Sequence, residues 1–431
     1  MLENIRKTVK IKDLGEVITG TTPPTQHQEY FGGQYIFIKP SDLSTDQRYV
    51  FRTEMTLSDE GCDYQKRKLL PKNSICVVCI GTIGKMCLTS KPSFTNQQLN
   101  SIIVDQSQYE PIYVYYLMKT YITHVKHLNA GSASGRENVN KSSFEKLEIE
   151  VHELVTQRKI AAILSAYDDL IENNTRRIEI LEEMARSIYR EWFVKFRFPG
   201  HEQVQMVDSD LGLIPEGWEI TSIGNHINTQ KGYAFKSSWY QEEGIKIVKV
   251  SDFTDDSIDI SKLVSISEEI AEQYKKHELE ANDIIIQTVG SWASNPQSVV
   301  GKVIRVPKIA AKALLNQNAV KVIPKESINQ IFLFYNIKNE RFKSYIIGCA
   351  QGAASQASIT LDAIREFKIL LPPSSLLDSL EYFVSPMWKL INNLENKKLN
   401  LRCTRDYLLP KLISGKIDVE NLDINAGEIA A

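Results

Sequence analysis

The chain predicts an α+β fold in which two homologous α/β domains are separated by two long antiparallel, coiled-coil-like helices, in a pseudo-two-fold, circular arrangement. Three observations predict it. A mixed strand-and-turn pattern followed by a long helical pattern occurs twice in the same order. Asn73-Ser74-Ile75 is answered by Asn282-Asp283-Ile284, 209 residues on, and Leu170-Ile171-Glu172-Asn173 by Leu390-Ile391-Asn392-Asn393, 220 residues on. At 431 residues the chain also exceeds what one core usually serves, so two cores are expected. A repeat this long is a duplicated domain, and not a solenoid unit.

The elements follow in order. Residues 1–153 alternate short strand-like runs, such as Tyr35–Ile38, Ser74–Ile80 and Ser101–Val104, with Gly, Pro, Ser and Asn turns, and Pro111–His127 reads as an aromatic-rich helix. Within this copy Asp13-Leu14-Gly15 reads as the counterpart of Ser222-Ile223-Gly224. Residues 154–196 form the first long helix, with Ile171, Asn174, Ile178, Leu181, Ala185 and Ile188 spaced as the seam of a helix pair. Forty helical residues at about 1.5 Å each make a rod of about 60 Å. Residues 197–217 are a Pro/Gly linker, from Phe196-Arg197-Phe198-Pro199-Gly200 to Pro215-Glu216-Gly217-Trp218. Residues 218–374 form the second domain, 375–415 the second long helix and 416–431 a C-terminal tail. Lys398 and Arg405 interrupt the seam of that helix, so Leu390, Leu394, Leu401 and Leu408 read as its packing stripe, beside Ile391. The first rod leaves domain one and reaches domain two, so the second can pair with it only by running back antiparallel. Spacer-helix packing is therefore assigned to Leu170, Ile171, Ile178, Leu181, Ile188, Leu390, Ile391, Leu394, Leu401 and Leu408.

Composition narrows the function classes. With 42% hydrophobic and 24% charged residues the chain is globular, and no apolar run is long enough to span a bilayer. Met1-Leu2-Glu3-Asn4-Ile5-Arg6-Lys7 lacks the apolar stretch of an export signal, so a cytoplasmic protein is expected. The six cysteines form no spaced framework, as expected of reduced thiols. Cys76-Val77-Val78-Cys79 has ligand-like spacing but reads as a buried strand. His124 and His127, one turn apart without a carboxylate or thiol beside them, read as solvated surface. No metal site is assigned. The formal net charge is −2 and the pI about 6.4, so a DNA-binding reading requires the 51 basic residues to be concentrated on one face, or a partner to add charge.

No catalytic constellation is present in the sequence. Gly81-Thr82-Ile83-Gly84-Lys85-Met86 has the wrong spacing for a phosphate loop and lacks Ser or Thr after the lysine. Its counterpart, Val300-Gly301-Lys302-Val303, marks both as turns between strands. The Pro-Pro pairs follow Thr22 and Leu371, not the Asn or Asp that an amino-methyltransferase needs, and G-x-S-x-G and H-E-x-x-H are missing. The chain is expected to be no enzyme by itself.

Several motifs together resemble the specificity subunit of type I restriction–modification systems, over essentially the full length. They are Gly20-Thr21-Thr22-Pro23, Lys231-Gly232-Tyr233-Ala234-Phe235-Lys236-Ser237, and Asn96-Gln97-Gln98 with Asn316-Gln317-Asn318. To these add Ile188-Tyr189-Arg190-Glu191-Trp192-Phe193, Leu213-Ile214-Pro215-Glu216-Gly217-Trp218 and the closing Leu408–Ile417. The family commonly has Leu-Pro-Pro then Glu-Gln at each helix start. Here the first copy has Val151-His152-Glu153-Leu154 and then Thr156-Gln157, and the second has Leu371-Pro372-Pro373 with Leu377-Asp378. The resemblance implies a non-catalytic subunit whose two target-recognition domains each read one half of a bipartite, asymmetric site on double-stranded DNA. It implies two methyltransferase subunits docked on the helices, with restriction/translocase subunits joining when present. It also implies that S-adenosylmethionine and ATP/Mg sit on those partners and that this chain binds no cofactor. A duplicated tethering scaffold without sequence-specific DNA binding is the alternative.

Candidate DNA contacts are polar residues on turns that recur in both copies. Lys39-Pro40-Ser41-Asp42 is answered by Lys249-Val250-Ser251-Asp252, and Gly131–Arg136 by Gly352–Gln356. The candidates are Thr21, Thr22, Lys39, Ser41, Asp42, Lys85, Asn96, Gln97, Gln98 and Arg136 in the first copy. In the second they are Lys231, Tyr233, Lys236, Lys249, Ser251, Lys302, Gln317, Asn318 and Gln356. Small residues let backbone approach phosphates, while Arg, Asn and Gln can contact base edges in pairs of hydrogen bonds. Tyr233 and Phe235 read either as base-stacking or as core. Extra residues around Trp292–Gln297 set the second domain apart.

Overall fold

The computed structural model describes residues 6–43, 47–128, 138–292, 299–353 and 356–424, so Arg136 and most of the Trp292–Gln297 insertion lie outside the described residues. The chain divides into two compact units, residues 1–173 with 398–431, and residues 174–397. The division falls inside both long helices, so each unit holds one globular head and a stretch of each helix.

In the first unit a five-stranded sheet runs in the order Gly15–Thr19, Leu99–Val104, Ile75–Val78, Met86–Thr89, Tyr49–Val50. Beside it, Phe31–Ile38 pairs with Met55–Leu57 and Ser93–Thr95. Ile75–Val78 is buried on both faces, which explains its unbroken apolar run. The helix Pro111–His127 packs Ile112, Tyr113, Tyr116 and Leu117 into the same core. Cys76 and Cys79 are core residues, and burial pushes the Cys79 thiol up to about 11, the reverse of a thiolate poised for metal. His124 and His127 are exposed.

The second unit repeats this plan. Its four-stranded sheet runs Ile227–Lys231, Ala319–Pro324, Ile284–Gln287, Val303–Arg305, and Ile245–Val248 pairs with Val264–Ile266 and Leu314–Leu315. Two shorter helices, Gln330–Ile337 and Glu340–Gly348, stand where the first head has one. Asn73 (φ 66°) and Asn282 (φ 70°) both adopt the left-handed conformation before the central strand, which explains why an Asn recurs there. The pairing of Gly15 with Gly224 is corrected. Ile11 N–H donates to the Leu147 carbonyl and Ile223 N–H to that of Phe367, so Gly224 matches Lys12 and Gly15 matches Ile227.

The long helices span Leu154–Tyr189, prolonged by a π-turn over Arg190–Val194, and Ser374–Ile413. Within each unit they run antiparallel. In the first unit the His152 ring bonds the Ile413 carbonyl at 2.9 Å, and further along Asp168 pairs with Arg405. In the second, Arg305 joins Glu182 to Trp388, and ten residues on Trp192 meets Phe383 edge to face at 5.9 Å.

The seam differs from expectation at two positions. Leu170 is 46% and Leu390 37% exposed, while Ile171 and Ile391 are buried. Neighbouring residues point about 100° apart on a helix, so only one of each pair can face inward. Leu394 is buried, and Ile178, Leu181, Ile188, Leu401 and Leu408 are half-buried. Arg405 does not break the seam, because the buried Asp168 neutralises it. Among the described residues no helix is long and apolar enough to cross a membrane.

Candidate nucleic-acid interface

In each head, motifs far apart in sequence meet at one edge of the sheets. In the first head the strand Gly15–Thr19 ends at Gly20, whose N–H reaches the Leu99 carbonyl at 3.1 Å, and Thr21 N–H reaches that of Thr95 at 2.9 Å. A Cβ on Gly20 would lie 2.3 Å from the Asn96 carbonyl oxygen, so only glycine allows these loops to touch. Thr22 Oγ1 then donates to Gln97 Oε1 at 2.7 Å. Asn96 N–H is held by the Ile38 carbonyl, which places the Lys39–Asp42 turn next to this loop. On the other side Cys79 N–H donates to the Gln98 carbonyl at 2.8 Å, and Val78 N–H to that of Lys85 at 2.8 Å, bringing in the Gly81–Lys85 turn.

The second head builds the same edge from equivalent bonds. Gly232 N–H reaches Ala319, Tyr233 N–H reaches Leu315, Asn316 N–H reaches Val248, Thr288 N–H reaches Asn318 and Gln287 N–H reaches Lys302. A Cβ on Gly232 would lie 2.0 Å from the Asn316 carbonyl oxygen. The hairpin of Gln351–Ala353 and Gln356–Ser358 adds to this edge through Val289–Gly290.

The candidates separate by exposure and partner. Thr21, Ser41, Lys85 and Gln97 are exposed in the first head, and Lys231, Lys236, Ser251, Gln317 and Gln356 in the second, while Thr22, Gln98, Lys249 and Asn318 are half-buried. Others have internal roles. Asn96 is buried, giving its Nδ2 to Gln98 Oε1 and taking the Gln98 N–H. Asp42 accepts the Lys39 N–H at 2.7 Å, as Asp252 accepts that of Lys249 at 2.8 Å, so these carboxylates close the turns. Tyr233 packs 4.2 Å from the Tyr274 ring and shares a hydroxyl bond with it, and Phe235 is core. Lys39 pairs with Glu54, and Lys302 with Asp255 at 3.4 Å. Lys236 lies over Trp239 and Lys249 over Tyr240, placing charge on aromatic faces.

Sequence reasoning missed Lys119 and Lys126, two turns apart on Pro111–His127 and lining a cavity beside the Gly81–Lys85 turn. Their seven-residue spacing on a helix otherwise read for its aromatics was the available signal. It also missed Arg48 and Arg305, the buried arginines that bind each head to a long helix. Nothing local marks an arginine whose partner is more than a hundred residues away. Among the described residues no group of three His, Cys, Asp or Glu is placed to hold a metal ion.

The edge is thus a surface of amides, hydroxyls and lysines on hydrogen-bonded turns, with groups that can grip phosphates and read base edges. Comparison with known proteins bears on what it reads. The family described as type I restriction modification DNA specificity domain matches residues 6–183 and again 215–399. The MjaIX specificity subunit of a type I restriction enzyme from Methanocaldococcus jannaschii is 28% identical over 418 residues, 96% of this chain and 94% of that protein. The MjaVIII specificity subunit from the same organism is 26% identical over 97% of this chain and 94% of its own length. The crystal structure of a type I restriction–modification S subunit from M. genitalium shares the fold, with a TM-score of 0.57 and 17% identity over 96% of this chain and 97% of that one. Two matches to one specificity domain, each ending on a long helix, account for nearly the whole molecule. The chain belongs to the type I restriction–modification DNA specificity family, as a non-catalytic subunit that recognises DNA sequence and works in a complex with other subunits.

Proposed function

We propose that the two heads each read one half of a bipartite, asymmetric site on double-stranded DNA, and that the chain directs adenine methylation and restriction by its partners. One observation carries this reading: the two loop edges share a backbone but not their side chains. Thr21 stands where the second head has Tyr233, Gln98 where it has Asn318, while Gln97 and Gln317, Ser41 and Ser251 coincide. Equal frames bearing unlike groups read unlike sequences. Each good base contact contributes about 1–3 kcal/mol of discrimination, so a few contacts per head give appreciable selectivity.

In this reading the paired helices set the length of DNA left unread between the half-sites, and two methyltransferase subunits dock on them. Those subunits carry S-adenosylmethionine, and restriction/translocase subunits, where present, carry ATP and Mg. The test exchanges residues 218–373 for the same region of a relative and maps methylated adenines made by the assembled complex. One half of the target should change and the other stay. A change in both halves, or site-specific methylation by the methyltransferase without this chain, rejects the reading. Calorimetry of the isolated chain with S-adenosylmethionine should give no binding heat.

A further inference from the structure

The two heads carry equivalent cavities, basic in the first and charge-balanced in the second. In the first head a cavity of about 340 Å³ lies between the Gly84-Lys85-Met86 turn and the helix Pro111–His127, and its cations are Lys85, Lys119 and Lys126. In the second, a cavity of about 410 Å³ lies between Gly301-Lys302-Val303 and the two shorter helices Gln330–Ile337 and Glu340–Gly348, and its cations are Lys302, Lys338 and Lys343. There each lysine is answered by a carboxylate: Lys302 by Asp255 at 3.4 Å, Lys338 by Asp256 at 2.9 Å and Lys343 by Glu340 at 3.2 Å.

Among the described residues none lining the first cavity is acidic, and none of its three ammonium groups has a hydrogen bond or ion pair. Lys119 has only the face of Tyr115, 4.8 Å away. Asp168, which acts on it electrostatically, is engaged by Arg405 and the Tyr116 hydroxyl. Burial, the largest influence, holds Lys119 below the usual lysine range; Asp168 and Asp406 act the other way, but both carboxylates are paired with Arg405. The site is also shaped. Gly84 has φ 105°, and a Cβ there would lie 2.8 Å from Ile122 and 3.1 Å from the Lys126 Cε, so the turn's missing side chain is what admits the lysine stem. Three cations on an open pocket, with no carboxylate among its described lining residues, suit a group bearing negative charge on several oxygens.

We propose that Lys85, Lys119 and Lys126 of the first head form a phosphate-binding site that, in the assembled complex, takes a backbone phosphate of the DNA read by that head. This rests on the sequence-recognition reading above. It goes further by making backbone grip unequal: the first head holds a phosphate here and the second, neutralised internally, does not. Lys85 links the site to the reading edge through the Gly81–Lys85 turn.

The test uses the full chain assembled with its methyltransferase, measuring affinity for a target duplex and a scrambled duplex from low to high salt. The double variant Lys85→Gln with Lys126→Gln removes two exposed charges. It should weaken both duplexes about tenfold alike and make the log–log salt dependence shallower by about 1, as expected for one phosphate contact. Lys85→Arg with Lys126→Arg should keep the slope, and Lys343→Gln, at the equivalent cavity, should leave it unchanged. An unaltered slope in the Gln variant, with target discrimination intact, overturns the site while leaving the recognition reading standing. Inorganic phosphate is the second probe: if it protects the Pro111–His127 helix from hydrogen exchange but the Gln variant binds DNA with the wild-type slope, the site serves free anions and the duplex assignment falls. If the wild-type complex shows no salt-sensitive DNA affinity, recognition itself fails and takes the proposal with it.

Discussion

Asp168 of the first unit and Trp388 of the second stand 220 residues apart, at equivalent positions on the two long helices, and they attach helix to head by different chemistry. Asp168 is buried, accepts the Tyr116 hydroxyl and neutralises Arg405, while Arg48 reaches Asp169 and Glu172 one turn on. Trp388 instead packs at 5.5 Å from Phe334, donates its Nε1–H to the Tyr335 hydroxyl at 3.3 Å and takes Arg305 on its face at 4.7 Å. Around it Tyr189, Phe193 and Trp218 extend the aromatic packing. The duplication thus preserved where helix meets head, with a buried arginine paired to a glutamate of the first long helix in each unit, but not the rest of the attachment. An interface of this kind tolerates either apolar area or well-paired charge, since both leave few buried polar groups without partners.

The difference can be broken most strongly at Trp388. Trp388→Ala removes a large buried side chain and leaves a cavity, so it should cost about 3–5 kcal/mol. Hydrogen exchange should show lost protection in Gln330–Ile337 and in the first part of the second helix, with the first unit little changed. Equal loss in both units would show that the two attachments are energetically one.

Arg405→Ala comes next, at about 3 kcal/mol, because it strands the buried Asp168 carboxylate. Asp168→Asn combined with Arg405→Met keeps the Tyr116 bond and removes both charges, so denaturant unfolding should find it less damaged than Arg405→Ala alone. If the double variant is worse, the pair contributes net attraction and the two chemistries are not interchangeable.

The smallest expected effect is on pH. Burial lowers the His152 pKa from its ordinary 6.5, against the Ile413 carbonyl that its ring meets. The unfolded chain therefore takes the proton first. The stability contributed by neutral His152 is whole above about pH 6.5 and is lost as pH falls below it toward the lower folded value. His226 and His277 of the second unit are also lowered, first by burial, so acid weakens both units. His152→Gln should flatten the acid side of the stability profile in the first unit only, read from exchange protection of Leu154–Tyr189 near its start. An unchanged profile would put the acid sensitivity in the second unit.

The loop edges were legible in the sequence because each motif is short and has a local physical cause. Asn73 and Asn282 recur for a left-handed turn, Gly20 and Gly232 for a close backbone approach, and Lys39–Asp42 and Lys249–Asp252 for a carboxylate that caps its own turn. That Asn96 is buried and bonded to Gln98, and that Tyr233 packs on Tyr274, was not legible, because composition does not tell a polar or aromatic residue that faces solvent from one held internally. Gly15 and Gly224 were misaligned for a related reason, since identical residues three positions out of register meet different backbone neighbours.

Duplication, the alternation of head and long helix and the lack of a catalytic constellation were set by the sequence alone, because repeats and periodicities are properties of residue order. Tertiary structure decided which of Leu170 and Ile171, or Leu390 and Ile391, faces inward, that Arg405 belongs inside the seam, and that among the described residues one cavity's lysines lack ion pairs while its twin's have them. Each of these depends on partners brought together from distant parts of the chain, and burial and charge balance exist only once those partners have met.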